Sequence, residues 1–384
     1  MKVLLVSSNS SAAGGGEQYL VYLAQGLRKE KIEIAVLLSN QKYMDGWESK
    51  FRDAGIEKIY RKELIPLSER KLRIFQTIFE KHNREIIKEV CQNLLPDVVH
   101  INQQYGADGL DYIKGALNYK REVVLGTIHL PMALTKHRRQ QSLRTFLINL
   151  LCLDKIKNMI LRKWYNENGY AKIFLTQKAK NEFKKAYGDC SQAKVIHNGV
   201  YQKNLFLRKN YPKQNIIAYC GRLEKQKNPM LIIKAWLQSK KNSKLLLIGD
   251  GSERKKLEKF LKKKGEKKNW QITGWVEDVY KYYKQIDCLI FASYFEGIPL
   301  SLLEAACVGI PIVSTNFSGI EEIAKKIPYL YRALNNPAQL RSAIDEAINL
   351  PFPDLGQVEK VRKYFSCKRM AEETIRVYEK MRLR

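Results

Sequence analysis

No run in this 384-residue chain approaches the ~20 consecutive apolar residues that span a bilayer, so no transmembrane helix is expected. No Cys-x-x-Cys pair occurs, and the seven cysteines (Cys91, Cys152, Cys190, Cys220, Cys288, Cys307 and Cys367) are odd in number and widely spaced. Neither a disulfide framework nor a zinc site is expected from that spacing, and a reducing cytoplasm fits it best. The first apolar run, Val3 to Val6, is too short for a signal-peptide core and has the length of a buried strand, so secretion by the usual route is not expected. Gly-x-Gly-x-x-Gly and Gly-x-x-x-x-Gly-Lys-Ser/Thr are both missing, which removes the simplest dinucleotide and P-loop readings. Acids are scarce too: 39 Asp and Glu against 68 Lys and Arg leave a formal charge of +29. Such a surplus calls for an anionic partner: nucleic acid, acidic lipid or a phosphorylated small molecule. No helix-turn-helix, zinc-finger or RNP signature accompanies it, so nucleic acid is the least favoured of the three.

What is present is an alternation. Short apolar runs at Val3 to Val6, Ile34 to Leu38, Val98 to Ile101, Val123 to Ile128 and Ile173 to Leu175, then Ile216 to Tyr219, Leu245 to Ile248, Cys288 to Phe291 and Ile312 to Val313, are separated by longer amphipathic stretches. Strand-like and helix-like segments in turn are the pattern of parallel α/β sheets with helices on both faces. The pattern occurs twice, and its periodicity lapses from Asn198 to Pro212. Two Rossmann-like α/β domains are therefore expected, over residues 1–198 and 199–365, followed by a helix over 366–384. The segment from Lys136 to Lys163 carries eight Lys or Arg and a single acid, Asp154, interleaved with Leu143, Phe146, Leu147, Leu150, Leu151, Ile156, Met159 and Ile160. An apolar stripe with a basic opposite face suits an anionic membrane surface; it equally suits a core-facing helix pair with a solvated face.

Three groups of residues carry chemistry. Gly14, Gly15 and Gly16 follow the first strand and open a helix, where bare backbone amides attract anions; a tight turn without a ligand is the plain alternative. After the strand Ile216 to Tyr219 comes Cys220-Gly221-Arg222-Leu223-Glu224-Lys225-Gln226-Lys227-Asn228-Pro229. Ligands of open α/β sheets bind at the carboxyl ends of strands, and Arg222 with Lys227 offers a planar fork and a movable point charge to a diphosphate. A solvated basic loop would read the same. Gly249-Asp250-Gly251 and Phe291-Ala292-Ser293 open onto the same edge. In Glu296-Gly297-Ile298-Pro299-Leu300-Ser301-Leu302-Leu303-Glu304, Pro299 suits the first turn of a helix. Glu296 then stands ahead of that helix and Glu304 just inside it, where a carboxylate can hold a vicinal diol; a cap and a surface acid are the plain alternative.

Taken together these residues resemble the retaining glycosyltransferases of family 4, which have the two-domain GT-B fold. The resemblance rests on Glu296 and Glu304, with seven residues between them, and on Ala305-Ala306 and Gly309-Ile310-Pro311 after them; on Gly221-Arg222-Leu223 with Lys227-Asn228; on Asn198-Gly199-Val200 at the domain junction; and on Gly15 and Gly16. It implies two Rossmann-like domains facing each other across a cleft, an N-terminal acceptor domain, a C-terminal nucleotide-sugar domain and a last helix that crosses back to the N-terminal domain. Catalysis would fall to His129, Arg222, Lys227 and Glu296, and donor binding to Gly15, Gly16, Asn198, Gly221, Arg222, Lys227, Gly249, Glu296, Gly297, Ile298 and Glu304. Leu130 and Tyr201 stand where the family often has Asp. No Asp-x-Asp occurs, so no metal and no cofactor beyond the donor substrate are expected. The expected activity is transfer of a sugar from a nucleotide diphosphate to a lipid-linked or glycan acceptor in surface polysaccharide, glycolipid or cell-wall glycan assembly. It would take place in the cytoplasm or peripherally on the inner face of the membrane, through Lys136 to Lys163. A soluble small-molecule acceptor is the alternative, and a non-catalytic basic binding protein a more distant one.

Overall fold

The computed structural model of the chain describes residues 1–8, 14–65, 78–106, 108–130, 153–188, 190–202, 205–206, 213–239, 243–264 and 269–383. The chain divides into two compact units, Met1–Tyr201 with Cys367–Arg384, and Gln202–Ser366.

In the first unit seven strands form one parallel sheet in the order β3-β2-β1-β4-β5-β6-β7. They are β1 (Lys2–Ser7), β2 (Glu33–Ser39), β3 (Lys58–Lys62), β4 (Val98–Gln103), β5 (Val124–Ile128), β6 (Ala171–Phe174) and β7 (Ala193–Val195). Helices α1 (Gly15–Lys29), α2 (Asp45–Asp53), α3 (His82–Leu94), α4 (Leu110–Tyr119), α5 (Leu153–Glu167) and α6 (Gln177–Tyr187) connect them. Helices cover both faces, so β1 carries a continuous apolar run rather than an alternating one: Val3, Leu4, Leu5 and Val6 are all fully buried.

The second unit repeats the plan with six parallel strands in the order β10-β9-β8-β11-β12-β13. These are β8 (Ile216–Cys220), β9 (Lys244–Ile248), β10 (Trp270–Gly274), β11 (Cys288–Phe291), β12 (Ile312–Thr315) and β13 (Leu330–Ala333). Around them lie α7 (Pro229–Gln238), α8 (Arg254–Lys264), α9 (Tyr280–Tyr283), α10 (Leu300–Val308), α11 (Ile320–Ala324), α12 (Pro337–Asn349) and α13 (Leu355–Tyr364). Its core gathers Trp236, Ile232, Leu247, Ile290 and Ile344.

The last helix, α14 (Cys367–Arg382), returns to the first unit and packs on α1. Gly26 makes this possible. A Cβ there would stand 2.5 Å from the Cys367 carbonyl oxygen and 2.8 Å from the Ala371 Cβ, so the two helices approach closer than any side chain allows. Further along α14, the Tyr378 hydroxyl reaches His100 Nδ1 at 2.6 Å.

Among the described residues no helix is long and apolar enough to cross a membrane. Of the basic segment Lys136 to Lys163, residues 136–152 lie outside the described residues. In the part that is described, Leu161 is buried while Ile156 and Met159 are exposed.

Candidate active site

In the second unit the loops leaving β8 and β9 lie backbone to backbone. Gly249 has φ +140° and Gly221 φ +151°, and a Cβ on Gly249 would strike the Gly221 carbonyl oxygen; only glycine meets both conditions. Leu223 N donates to Asp250 O at 2.8 Å, and Glu253 N donates to Leu223 O at 2.9 Å. The Tyr219 hydroxyl, donating to Arg222 O at 2.8 Å, fixes the apex of the loop, from which the Arg222 side chain stands exposed. A short turn over Lys225–Lys227 follows, then Asn228 at φ 49°, a left-handed conformation that asparagine tolerates better than most residues, and Pro229 begins α7.

The loop leaving β11 is stitched to this one. Tyr294 N donates to Gln226 O at 2.9 Å, and Gln226 Nε2 donates to Phe295 O at 3.0 Å. Those bonds bring Glu296 against Lys227. Lys227 Nζ donates to Glu296 Oε1, which also accepts from Ser293 Oγ. The side chains of Lys227 and Glu296 are only 17% and 7% exposed, so the charges attract through a medium far less polarisable than water. Gly297 and Ile298 are buried beside them.

Pro299 was expected in the first turn of α10. The structure places it one residue earlier, as the N-cap, because its ψ of 124° continues the extended loop and the helix begins at Leu300. Ser301 Oγ donates to Cys220 O at 3.1 Å, and the Tyr283 hydroxyl donates to Ser301 O at 3.3 Å, which clamps the start of α10 to the end of β8. Glu304 is 8% exposed on a helix whose other residues beyond Ser301 are all apolar and buried, so it is no surface acid. Its charge is felt at Cys220, whose thiol is pushed up to about 12 by burial first and by Glu304 second. Gly221, Arg222, Lys227, Gly249, Glu296, Gly297, Ile298 and Glu304 thus all lie at the carboxyl edge of the six-stranded sheet.

The first unit holds the remaining sequence-predicted residues. Gly15 and Gly16 are the first residues of α1, and a Cβ on Gly15 would meet nothing within 4 Å, so packing does not require glycine there. His129 follows β5; its Nε2 pairs with Asn102 Oδ1 and its ring meets Tyr19 edge-on at 4.7 Å. The Tyr19 hydroxyl lies 3.3 Å from Thr127 Oγ1, which lies 2.6 Å from His100 Nε2. Burial drops both His129 and His100 to about 3, with the neighbouring His129 adding to the shift at His100. His129 is therefore a neutral imidazole at physiological pH. Asn198 is buried at the end of the unit, and its carbonyl accepts from Arg369 Nη2 at 3.5 Å. Among the described residues no group of three or more His, Cys, Asp or Glu is arranged to hold a metal ion.

Sequence reasoning missed several partners. Gln226 pins one loop to the other, Asn102 and Tyr19 contact the His129 imidazole, and Thr127 links Tyr19 to His100. A signal existed for Asn102, since His100, Asn102 and Gln103 are polar groups in a strand buried throughout.

Residues 13–202 match the family model described as Glycosyltransferase Family 4, and residues 202–365 match Glycosyl transferases group 1. The chain is of the GT-B glycosyltransferase type. An uncharacterized glycosyltransferase of Methanocaldococcus jannaschii is 30% identical over 25% of this GT-B chain and 24% of its own length. An α-1,4-N-acetyl-D-galactosaminyltransferase of Campylobacter jejuni, whose name gives a glycan on diphospho-undecaprenol as its substrate, is 31% identical over 30% of the chain and 33% of its own. The matched stretches thus span only a quarter to a third of these two relatives. Among solved structures, Anabaena HepE in complex with UDP superimposes with a TM-score of 0.73 at 16% identity, over 99% of this chain and 100% of that one. At that identity the likeness is one of fold.

Proposed function

We propose that this GT-B protein is a retaining, metal-independent hexosyltransferase of family 4 that moves a sugar from a nucleotide diphosphate to a lipid-linked or glycan acceptor during surface polysaccharide or glycolipid assembly. The observation that carries the reading is the meeting of Lys227 and Glu296 between two strand-end loops, with Arg222 on the first loop and Glu304 midway along the short helix α10 behind. Two cations fit a diphosphate, and two carboxylates fit hydroxyl groups on either side of it.

In this mechanism Arg222 and Lys227 neutralise the charge that builds on the diphosphate as the bond from the anomeric carbon to its phosphate oxygen breaks. The bonding electrons leave with the phosphate. The acceptor oxygen forms its bond to that carbon on the same face, and its proton passes to the departing phosphate oxygen, so no separate base is needed. A glycosidase pair is disfavoured, because a phosphate leaving group needs no protonated carboxylic acid. Glu304 holds the ribose diol, Glu296 a hydroxyl of the transferred sugar, and the amides near Gly297 assist. His129, neutral, offers a hydrogen bond to a sugar or acceptor hydroxyl without adding charge to the site. The protein works at the cytoplasmic face of the membrane.

A panel of UDP, GDP and ADP sugars, read by ligand NMR for binding and slow hydrolysis, tests this in wild type and Glu304→Ala. One donor should bind, and losing two charge-assisted hydrogen bonds should weaken it about 100-fold. If no donor binds the wild type, the reading is wrong.

A further inference from the structure

A cavity of about 230 Å³ opens in the first unit between α14 and the outermost strand, β7. It follows β7 from Ser191 to Ile196 and so lies two strands away from β5, which leads to His129. Three cations stand around it: Lys194 on β7, and Arg376 and Lys380 on α14. None of the three has a carboxylate partner among the described residues. The one acid at the rim, Glu373, is already paired with Arg369 at 3.0 Å. Arg376 and Lys380 are four residues apart on one helix, a like-charge pair that weakens α14 rather than supporting it. Between the cations the lining turns apolar, with Val195, Val377 and Met381. The last two are almost fully buried.

Unpaired cations and an apolar floor select for an amphiphile: the cations take an anionic oxygen cluster, and the floor takes hydrocarbon. We propose that this groove seats the phosphate headgroup of an anionic phospholipid, with the phosphate among Lys194, Arg376 and Lys380 and the first methylenes against Val377 and Met381. The first unit is thereby held on an acidic bilayer by a site separate from the residues around His129. The inference uses no feature of donor chemistry, so it stands or falls independently of the transferase reading.

Co-sedimentation of the full chain with vesicles of phosphatidylcholine, with and without phosphatidylglycerol, tests it. Each basic side chain at an anionic surface contributes roughly fivefold, so Lys194→Gln/Arg376→Gln/Lys380→Gln should bind the acidic vesicles about 100-fold more weakly. A variant with the same change in charge on the exposed face of α8, Lys255→Gln/Lys259→Gln/Lys262→Gln, should lose far less. Equal losses in the two variants would mean that net charge alone does the binding, and no loss in the groove variant would show the groove empty; either result overturns the proposal. In a second arm, short-chain phosphatidylglycerol should shift the Met381 methyl resonance where inorganic phosphate does not. An identical shift with phosphate alone would reduce the groove to an anion site and refute the lipid. Nucleotide-sugar binding, measured on the same variants, should stay at the wild-type value whatever the vesicles show.

Discussion

The ion pair between Lys227 and Glu296 makes opposite predictions for its two halves. Lys227→Met leaves the Glu296 carboxylate, only 7% exposed, with Ser293 Oγ as its remaining hydrogen-bond donor among the described residues. Removing one partner of a buried pair costs about 3–5 kcal/mol, and the 17% exposure of the lysine places this pair at or below the lower end, about 2–3 kcal/mol. For a unit the size of Gln202–Ser366, at 2–4 °C per kcal/mol, melting should fall by about 4–12 °C. Glu296→Gln keeps an oxygen for Ser293 and leaves an ammonium that can turn to water, so it should cost no more than about 1 kcal/mol. The double variant should be more stable than Lys227→Met alone, with a coupling of about 1–3 kcal/mol. Binding separates the two halves further. Glu296 neutralises Lys227 in the free site, so Glu296→Gln should bind the bare nucleoside diphosphate about tenfold more tightly while turnover collapses, whereas Lys227→Met should lose both. Differential scanning calorimetry and isothermal titration with nucleoside diphosphates read the two effects. If Glu296→Gln leaves diphosphate affinity unchanged and the double variant is merely additive, the pair does not hold the site as described.

Three further expectations concern other parts of the molecule. His100 and His129, held at about 3 against ~6.5 in an unfolded chain, bind fewer protons folded than unfolded, so their contribution is complete above pH 6.5 and is lost as the pH falls toward 3. At about 1.4 kcal/mol per pH unit for each, urea unfolding at pH 5 should show about 4 kcal/mol less stability than at pH 7.5, and His100→Gln should halve that slope; an unchanged slope would contradict the burial argument. Gly26→Ala gains about 1 kcal/mol of helix propensity but drives a methyl to 2.5 Å from the Cys367 carbonyl, an overpacking cost of about 1–3 kcal/mol. The clash is with backbone, which cannot swing aside, so melting should fall by a few degrees rather than rise. Cys220, pushed up to about 12, should resist iodoacetamide at pH 7, and Glu304→Gln should raise its alkylation rate by removing the nearby charge; rapid labelling of the wild type would contradict the burial of the thiol, and an unchanged rate in Glu304→Gln would place that charge elsewhere.

The nine apolar runs visible in the sequence correspond to the interior strands β1, β2, β4, β5, β6, β8, β9, β11 and β12, and the four strands not visible are β3, β7, β10 and β13. Those four are the outermost strands of the two sheets. An interior strand of a parallel sheet is covered on both faces and both edges, so most positions select for Val, Ile or Leu, and the polar His100, Asn102 and Gln103 of β4 stand out against that pattern. An edge strand such as Lys58-Ile59-Tyr60-Arg61-Lys62 has no strand beyond it and no fully buried position, and its mixed composition looks like loop.

The same contrast governs the two halves of the site. In the second unit the chemistry is carried by charged residues in loops, where Arg222, Lys227 and Glu296 break the local pattern and advertise themselves. Their juxtaposition depends on backbone bonds such as Tyr294 N to Gln226 O, which no side-chain pattern encodes. In the first unit His129 is held by Asn102 and Tyr19, 27 and 110 positions before it in the sequence, with Thr127 behind the Tyr19 hydroxyl, each unremarked by itself. Burial then decides what the imidazole can do: with its pKa near 3 it carries no charge, so any contribution it makes is a directed hydrogen bond. A His129→Gln variant, which keeps a hydrogen-bonding group, should on that ground retain more activity than His129→Ala, and the ratio between them should not change from pH 6 to pH 8. A ratio that grows toward acid pH would show a titrating imidazole and contradict the neutral assignment.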